Sequence, residues 1–90
     1  MTLKEELKAA RLALRKVQDR LFERRGEVSR LEARVEANDY PSYQRESFMN
    51  DDLVRRAHCL QEIDDLEVEE RRLEHDVTAW RNTIEAQGIK

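Results

Sequence analysis

The chain contains few of the residues that interrupt helices. It has two glycines and one proline in 90 residues, so only a few sharp turns are expected. Aromatic residues make up 6% of the composition, which is too little for a β-sandwich or a large globular core. The single cysteine, Cys59, excludes an intramolecular disulfide. The composition favours a small all-α protein with one main break, near Pro41.

Long apolar runs are also lacking. No segment approaches the roughly 20 apolar residues that span a bilayer. The first residues, MTLKEELKAA, lack the apolar centre of a secretory signal. Charged residues make up 41% of the chain and hydrophobic residues 39%, a balance typical of helices with one narrow buried stripe. We therefore expect a cytoplasmic protein that does not contact a membrane.

The first part of the chain carries a heptad repeat. Apolar residues recur at alternating spacings of four and three, which is the pattern of the a and d positions of a coiled coil, here called the seam. The pattern predicts one helix over about residues 2–37, with Thr2 as N-cap and Arg24 at the one seam position without an apolar residue. The apolar seam residues are Leu3, Leu7, Ala10, Leu14, Val17, Leu21, Val28, Leu31 and Val35.

A break around Pro41 separates this helix from a second one. Pro41 suits the first turn of a helix, which predicts a turn over about residues 38–42. Alternatively, Asn50 followed by two aspartates is a stronger N-cap signal, and the turn then extends to residue 49. Since long connections are uncommon in small bundles, the early start is favoured, with a weakness near Asn50. The second helix is expected to run to about residue 87.

The apolar pattern of the second helix is less regular. Leu53, Leu60 and Ile63 fit one seam, and a second seam begins three residues later, at Leu66. A spacing of three where four is due predicts a stammer, a local overwinding of the coiled coil. Polar residues occupy two of the seam positions, Arg56 and Glu70. The second seam comprises Leu66, Leu73, Val77, Trp80 and Ile84.

The charges predict that the two helices pack against each other as an antiparallel hairpin. Residues 1–37 carry a net charge of +3, from ten basic and seven acidic residues, and residues 38–90 carry −6, from seven basic and thirteen acidic residues. Opposed residue numbers sum to about 80 for the early start and to about 87 for the late one. The acidic stretch 62–70 then lies beside either Arg11, Arg15 and Lys16 or Arg20, Arg24 and Arg25.

A two-helix hairpin buries little apolar surface, so we expect it to dimerise into a four-helix bundle. Several apolar residues lie off the seam, and when opposed residue numbers sum to about 80, Trp80, Ile84 and Ile89 extend beyond the first helix. Aromatic residues of the connector either cap the core or grip a partner, and Arg24 could form a buried polar pair with Glu70 of another subunit. The candidate interface residues are Leu12, Phe22, Arg24, Tyr40, Tyr43, Phe48, Val54, Val68, Trp80 and Ile84.

Residues suited to chemistry do not converge in the sequence. His58, Cys59 and His75 lack the spacing of metal ligands on a helix, and no nucleophile–base pair, phosphate-binding loop or cofactor motif occurs. We expect no enzymatic activity, no cofactor and no metal. Mimicry of nucleic acid by the acidic stretch 62–70 is a minor alternative, because Arg71 and Arg72 interrupt the acidic surface.

The pattern therefore predicts a protein–protein interaction module, such as a coiled-coil adaptor, a small chaperone or a phage-type inhibitor. The alternative is a nucleic-acid-associated protein that uses the basic side of the first helix. The layout of two long helices around a Tyr-containing turn resembles that of tubulin-binding cofactor A, type III secretion co-chaperones and the N-terminal coiled coil of hantavirus nucleocapsids. This resemblance implies the hairpin architecture, and we transfer no residue role from it.

Overall fold

The computed structural model describes residues 2–38 and 40–88 and shows two long helices packed antiparallel. Helix α1 comprises Leu3–Ala37, a 3₁₀ turn comprises Ser42–Gln44, and helix α2 comprises Arg45–Ala86. The hairpin measures 68 × 19 × 16 Å. This confirms the predicted all-α hairpin architecture.

The ends of α1 are capped by its own sequence. Thr2 is extended, and its Oγ1 accepts a hydrogen bond of 3.2 Å from the backbone N–H of Glu5, which satisfies one of the free donors of the first turn. At the other end Asn38 adopts a left-handed conformation with φ 53°, and its N–H reaches the carbonyls of Arg34 and Val35. Asn tolerates this conformation better than most residues, so α1 ends where the sequence predicts.

Helix α2 begins at Arg45, between the two starts that the sequence offers. Pro41 is extended, with ψ 132°, so it cannot itself be a helical residue. Its carbonyl instead accepts the Gln44 N–H at 3.1 Å, which closes the 3₁₀ turn that leads into α2. The helix then continues through Asn50 without interruption, and it ends just before Gly88, whose φ is 69°.

The seam of α2 is continuous, so the predicted stammer is wrong. The buried and half-buried residues follow one uninterrupted alternation of three and four residues. Asp52 and Cys59 occupy the positions that the sequence assigned to their neighbours Leu53 and Leu60, which are exposed. The seam residues of α2 are Met49, Asp52, Arg56, Cys59, Ile63, Leu66, Glu70, Leu73, Val77, Trp80 and Ile84.

A single heptad phase explains why two leucines are left outside. With Asp52 and Cys59 in the seam, α2 keeps one heptad spacing along its whole length, so no local overwinding is required to keep its buried face against α1. The exposure of Leu53 and Leu60, at 43% and 36%, is the cost of that uniform geometry. The polar groups brought into the seam are satisfied, because no described buried side-chain N or O atom lacks a hydrogen-bond partner.

The ion pairs between the helices show which of the two registers is present: the numbers of opposed residues sum to about 87. Helix α2 begins at Arg45, yet its pairing with α1 is the one expected for a start near Asn50. The reason is that the first turn of α2 extends beyond the end of α1 and has no part of α1 opposite it. The predicted overhang therefore does not occur for Trp80, which is half-buried, or for Ile84, which is buried within the hairpin. Ile89 lies outside the described residues. The residue numbers sum to 86, 86, 88, 82 and 92 for Arg24–Glu62, Arg34–Asp52, Arg56–Glu32, Arg55–Glu27 and Arg25–Glu67.

The core lies along the middle of the hairpin. Val17, Leu21 and Val28 of α1 pack with Cys59, Ile63 and Leu73 of α2. Leu21 is only 1% exposed and is the one side chain below 2% among the described residues.

We expect Leu21→Ala to lower the free energy of unfolding by about 2–5 kcal/mol, because it leaves a cavity in the core. Leu12→Ala, at a position 53% exposed, is the matched control and should change it by less than about 0.5 kcal/mol. Urea unfolding at fixed protein concentration, followed by circular dichroism, measures both. Equal losses for the two variants would contradict the assignment of the core.

Candidate interaction surface

Polar side chains in the seam reach its edges and bond there. Arg24 is half-buried at its seam position, and its Nε lies 2.7 Å from a Glu62 carboxylate oxygen. Its Nη1 lies 3.0 Å from Glu27 on its own helix. Such an arrangement lets the arginine stem pack in the core while the charge remains at the surface. Arg24 therefore helps to join the two helices on one side of the hairpin, here called the Glu27 side.

Glu27 is the centre of this polar group. Arg55 approaches it at 3.6 Å from α2, and the hydrogen bond from Arg24 lowers the pKa of the Glu27 carboxyl. The Cys59 thiol lies beside it, and burial, with the adjacent carboxylate, raises the pKa of that thiol. Cys59 is therefore held as a thiol rather than a reactive thiolate, and it packs as a small buried residue.

A second polar cluster closes the hairpin tip. The Tyr40 hydroxyl donates a hydrogen bond of 2.6 Å to Asp52 Oδ2, and Arg34 Nε lies 3.5 Å from the same oxygen. Asp52 is 8% exposed, so it needs both partners to be stable away from water. The cluster ties the connector and both helices together, so Tyr40 has the first of the two roles expected for the connector aromatics, that of capping the core.

The opposite side of the hairpin, here called the Leu60 side, has its own ion pairs. Arg56 occupies a seam position and bonds Glu32 at 2.8 Å, and Arg25 lies 3.3 Å from Glu67. Glu70, the remaining polar residue of the seam, forms no ion pair with any residue that the structure describes. The alternative in which Arg24 pairs with Glu70 of another subunit loses its support, because Arg24 is already paired within the hairpin.

Eight large apolar side chains among the described residues remain exposed. Phe22 and Tyr43 are 81% and 83% exposed. Aromatic side chains are seldom so exposed unless another protein covers them. Of the ten predicted interface residues, six belong to this group, whereas Arg24, Tyr40 and Trp80 are half-buried and Ile84 is in the core. The exposed residues are Leu12, Phe22, Tyr43, Phe48, Leu53, Val54, Leu60 and Val68.

Sequence reasoning missed Leu53 and Leu60 as surface residues because it placed them in the seam. The signal that could have found them is the heptad phase extended backward from Ile84. That phase passes through Cys59 and Asp52 and puts both leucines at e positions, directly beside the seam. Their exposure gives the Leu60 side an apolar surface that the sequence analysis did not predict.

The histidines lie apart from any arrangement suited to metal binding. His58 and His75 are exposed, whereas Cys59 is buried. Within residues 2–38 and 40–88, no group of three His, Cys, Asp or Glu side chains is placed to hold a metal ion. In the same residues, neither helix has a stretch apolar enough to cross a membrane.

No protein family, curated protein or solved structure matches this chain.

The Tyr40–Asp52 bond should make stability depend on alkaline pH. Burial and the neighbouring Asp52 carboxylate raise the pKa of Tyr40, so the folded chain keeps a proton that the unfolded chain loses above about pH 10. The stabilisation that protonated Tyr40 gives the folded chain is therefore complete below about pH 10, and it is lost as the pH rises through the pKa that Tyr40 has in the folded state.

We therefore expect Tyr40→Phe to flatten the decline of the unfolding free energy above about pH 10 relative to the unmodified chain. Tyr43→Phe, at an exposed site, is the matched control and should keep the decline. Urea unfolding across this pH range is the measurement. Parallel curves for the unmodified chain and Tyr40→Phe would exclude a role for Tyr40 in closing the tip.

Proposed function

We propose that the chain is a non-enzymatic protein–protein interaction module whose hairpins pair into a four-helix bundle. The observation that carries this proposal is the exposure of eight large apolar side chains along a hairpin only 19 × 16 Å in cross-section. Single exposed apolar residues are ordinary. A group of this size on so thin a protein is typical of a surface that another protein covers.

The energetics of a lone hairpin support the same proposal. Ordering each residue costs roughly 1–2 kcal/mol of backbone entropy. The free energy gained by burying one narrow apolar seam is only about equal to the total of this cost. Only eight apolar residues of the described chain are buried. Pairing two hairpins would bury a second face of each helix, which is how four-helix bundles gain their stability. An adaptor, a small chaperone or a phage-type inhibitor would each use such an assembly.

One observation favours the second candidate, a nucleic-acid-associated protein. Lys8, Arg11, Arg15 and Lys16 form no ion pair with any described residue, so their charges stay available to an anionic partner. Further along α1, however, Arg24, Arg25 and Arg34 are paired with acidic residues of α2. Acidic residues of α2 therefore already neutralise part of the basic side of α1, and the interaction module is the better-supported function.

Sedimentation across a range of concentrations tests the interaction module. We expect a dimer, and we expect Phe22→Ser to weaken it by at least tenfold in dissociation constant while circular dichroism shows unchanged helix content. Arg15→Ser, at the equivalent heptad position of the preceding heptad, is the matched control and should dimerise like the unmodified chain.

A chain that stays monomeric at every concentration, and that recovers no partner protein, would contradict this function. Binding to DNA or RNA that weakens steeply as salt is raised, in a monomeric chain, would instead favour the nucleic-acid role. Arg15→Ser should then reduce that binding, so the same control separates the two candidates.

A further inference from the structure

A short apolar stripe lies on α2 beside the seam, on the Leu60 side. Leu53, Ala57 and Leu60 are spaced by four and three residues, so they line one flank of the helix. All three are exposed. Polar residues bound the stripe one heptad away from Ala57 in each direction, at Asn50 and Asp64. The stripe is therefore nearly symmetric about Ala57, the smallest of its side chains.

The register places the matching part of α1 beside this stripe. Because the numbers of opposed residues sum to about 87, Arg30 of α1 lies at the same height along the hairpin as Ala57 of α2. On the Leu60 side of α1, Arg25 lies five residues before Arg30 and Glu36 lies six residues after it, so the two charges are nearly equidistant from Ala57 along the hairpin. Glu36 forms no ion pair with any described residue. Arg25 is 55% exposed, and its bond to Glu67, at 3.3 Å, leaves it accessible from outside.

We propose that a second copy of the chain covers the Leu60 side, related by a two-fold axis that passes beside Ala57. A two-fold contact requires a surface that is complementary to itself. Here Leu53 would contact Leu60 of the second copy, and the two Ala57 residues would meet at the axis. Their small side chains would let the two α2 helices approach closely. This inference rests on the proposed function, since it identifies the partner and the surface of the same interaction.

Charge complementarity supports a second copy as the occupant. In the two-fold arrangement the α1 helices also run antiparallel, centred on Arg30. Arg25 of each chain then faces Glu36 of the other, so two new ion pairs form with no like charges opposed at those sites. Phe22, on the same flank, lies at the level where α1 of the second copy ends. The most exposed aromatic residue of α1 is thereby covered.

The arrangement predicts an elongated dimer. Ala57 is about 30 residues from the open end of the hairpin and about half as far from the tip, so the two hairpins overlap over about two thirds of their length, measured from the tip. At 1.5 Å per residue, the dimer should be about 90 Å long, compared with 68 Å for one hairpin. A bundle formed by full side-by-side overlap would keep the length of one hairpin.

Disulfide trapping tests the axis directly. In a Cys59→Ala background, Ala57→Cys should cross-link two chains under mild oxidation, because a disulfide needs Cβ atoms about 4 Å apart. Gln61→Cys, one turn further along α2 on its outer face, is the matched control and should cross-link at least tenfold more slowly. Sedimentation under the same conditions establishes whether a dimer is present.

A dimer in which Ala57→Cys cross-links no faster than Gln61→Cys would overturn this inference and leave the proposed function intact. A monomer would overturn the proposed self-association as well. The paired substitution Leu53→Ser with Leu60→Ser provides a second measurement. It should abolish the dimer with unchanged helix content, whereas Leu12→Ser with Val68→Ser, on the outer faces, should preserve the dimer. Loss of the dimer only in the Leu12→Ser, Val68→Ser variant would exclude the Leu60 side as the dimer interface.

Discussion

The structure depends on one constraint, the alignment of a single seam on each of two long helices. Each helix has one narrow stripe to bury, and the stripes can be buried together only if both keep the same heptad phase along the hairpin. Helix α2 satisfies this constraint with Asp52 and Cys59 in its seam, although more apolar residues stand next to them. Continuity of packing outweighs the burial of two leucines, and the exposed apolar surface of α2 follows from that outcome.

Polar residues in the seam give the hairpin its register. A shift by one heptad exchanges one apolar layer for another at little cost, so the apolar residues alone do not distinguish the alternatives. Asp52 does, because it is buried and must meet both Tyr40 and Arg34. Arg24 adds a second constraint through Glu62. Such groups contribute less to stability than apolar ones would, and their effect is to select one pairing over others.

Much of the fold could be predicted from the sequence. The extent of α1 follows from its regular heptads and from the caps at Thr2 and Asn38. The seam of α2 could not be predicted by choosing the most apolar residue at each turn, because Leu53 and Leu60 compete with the true seam positions. The register required side-chain reach, which spacing does not show. Exposed residues such as Phe22 were predictable because they lie far from the seam of α1.

The register is the claim on which the positions of all these surfaces depend, and the native Cys59 offers a direct test. Val28 lies opposite Cys59 when residue numbers sum to 87, and both belong to the core. Leu21 lies opposite Cys59 when they sum to 80. Under mild oxidation, Val28→Cys should form an intramolecular disulfide with Cys59, seen as the loss of both free thiols with no covalent link between chains, and Leu21→Cys should not. A disulfide in Leu21→Cys and none in Val28→Cys would contradict the register and the surfaces derived from it.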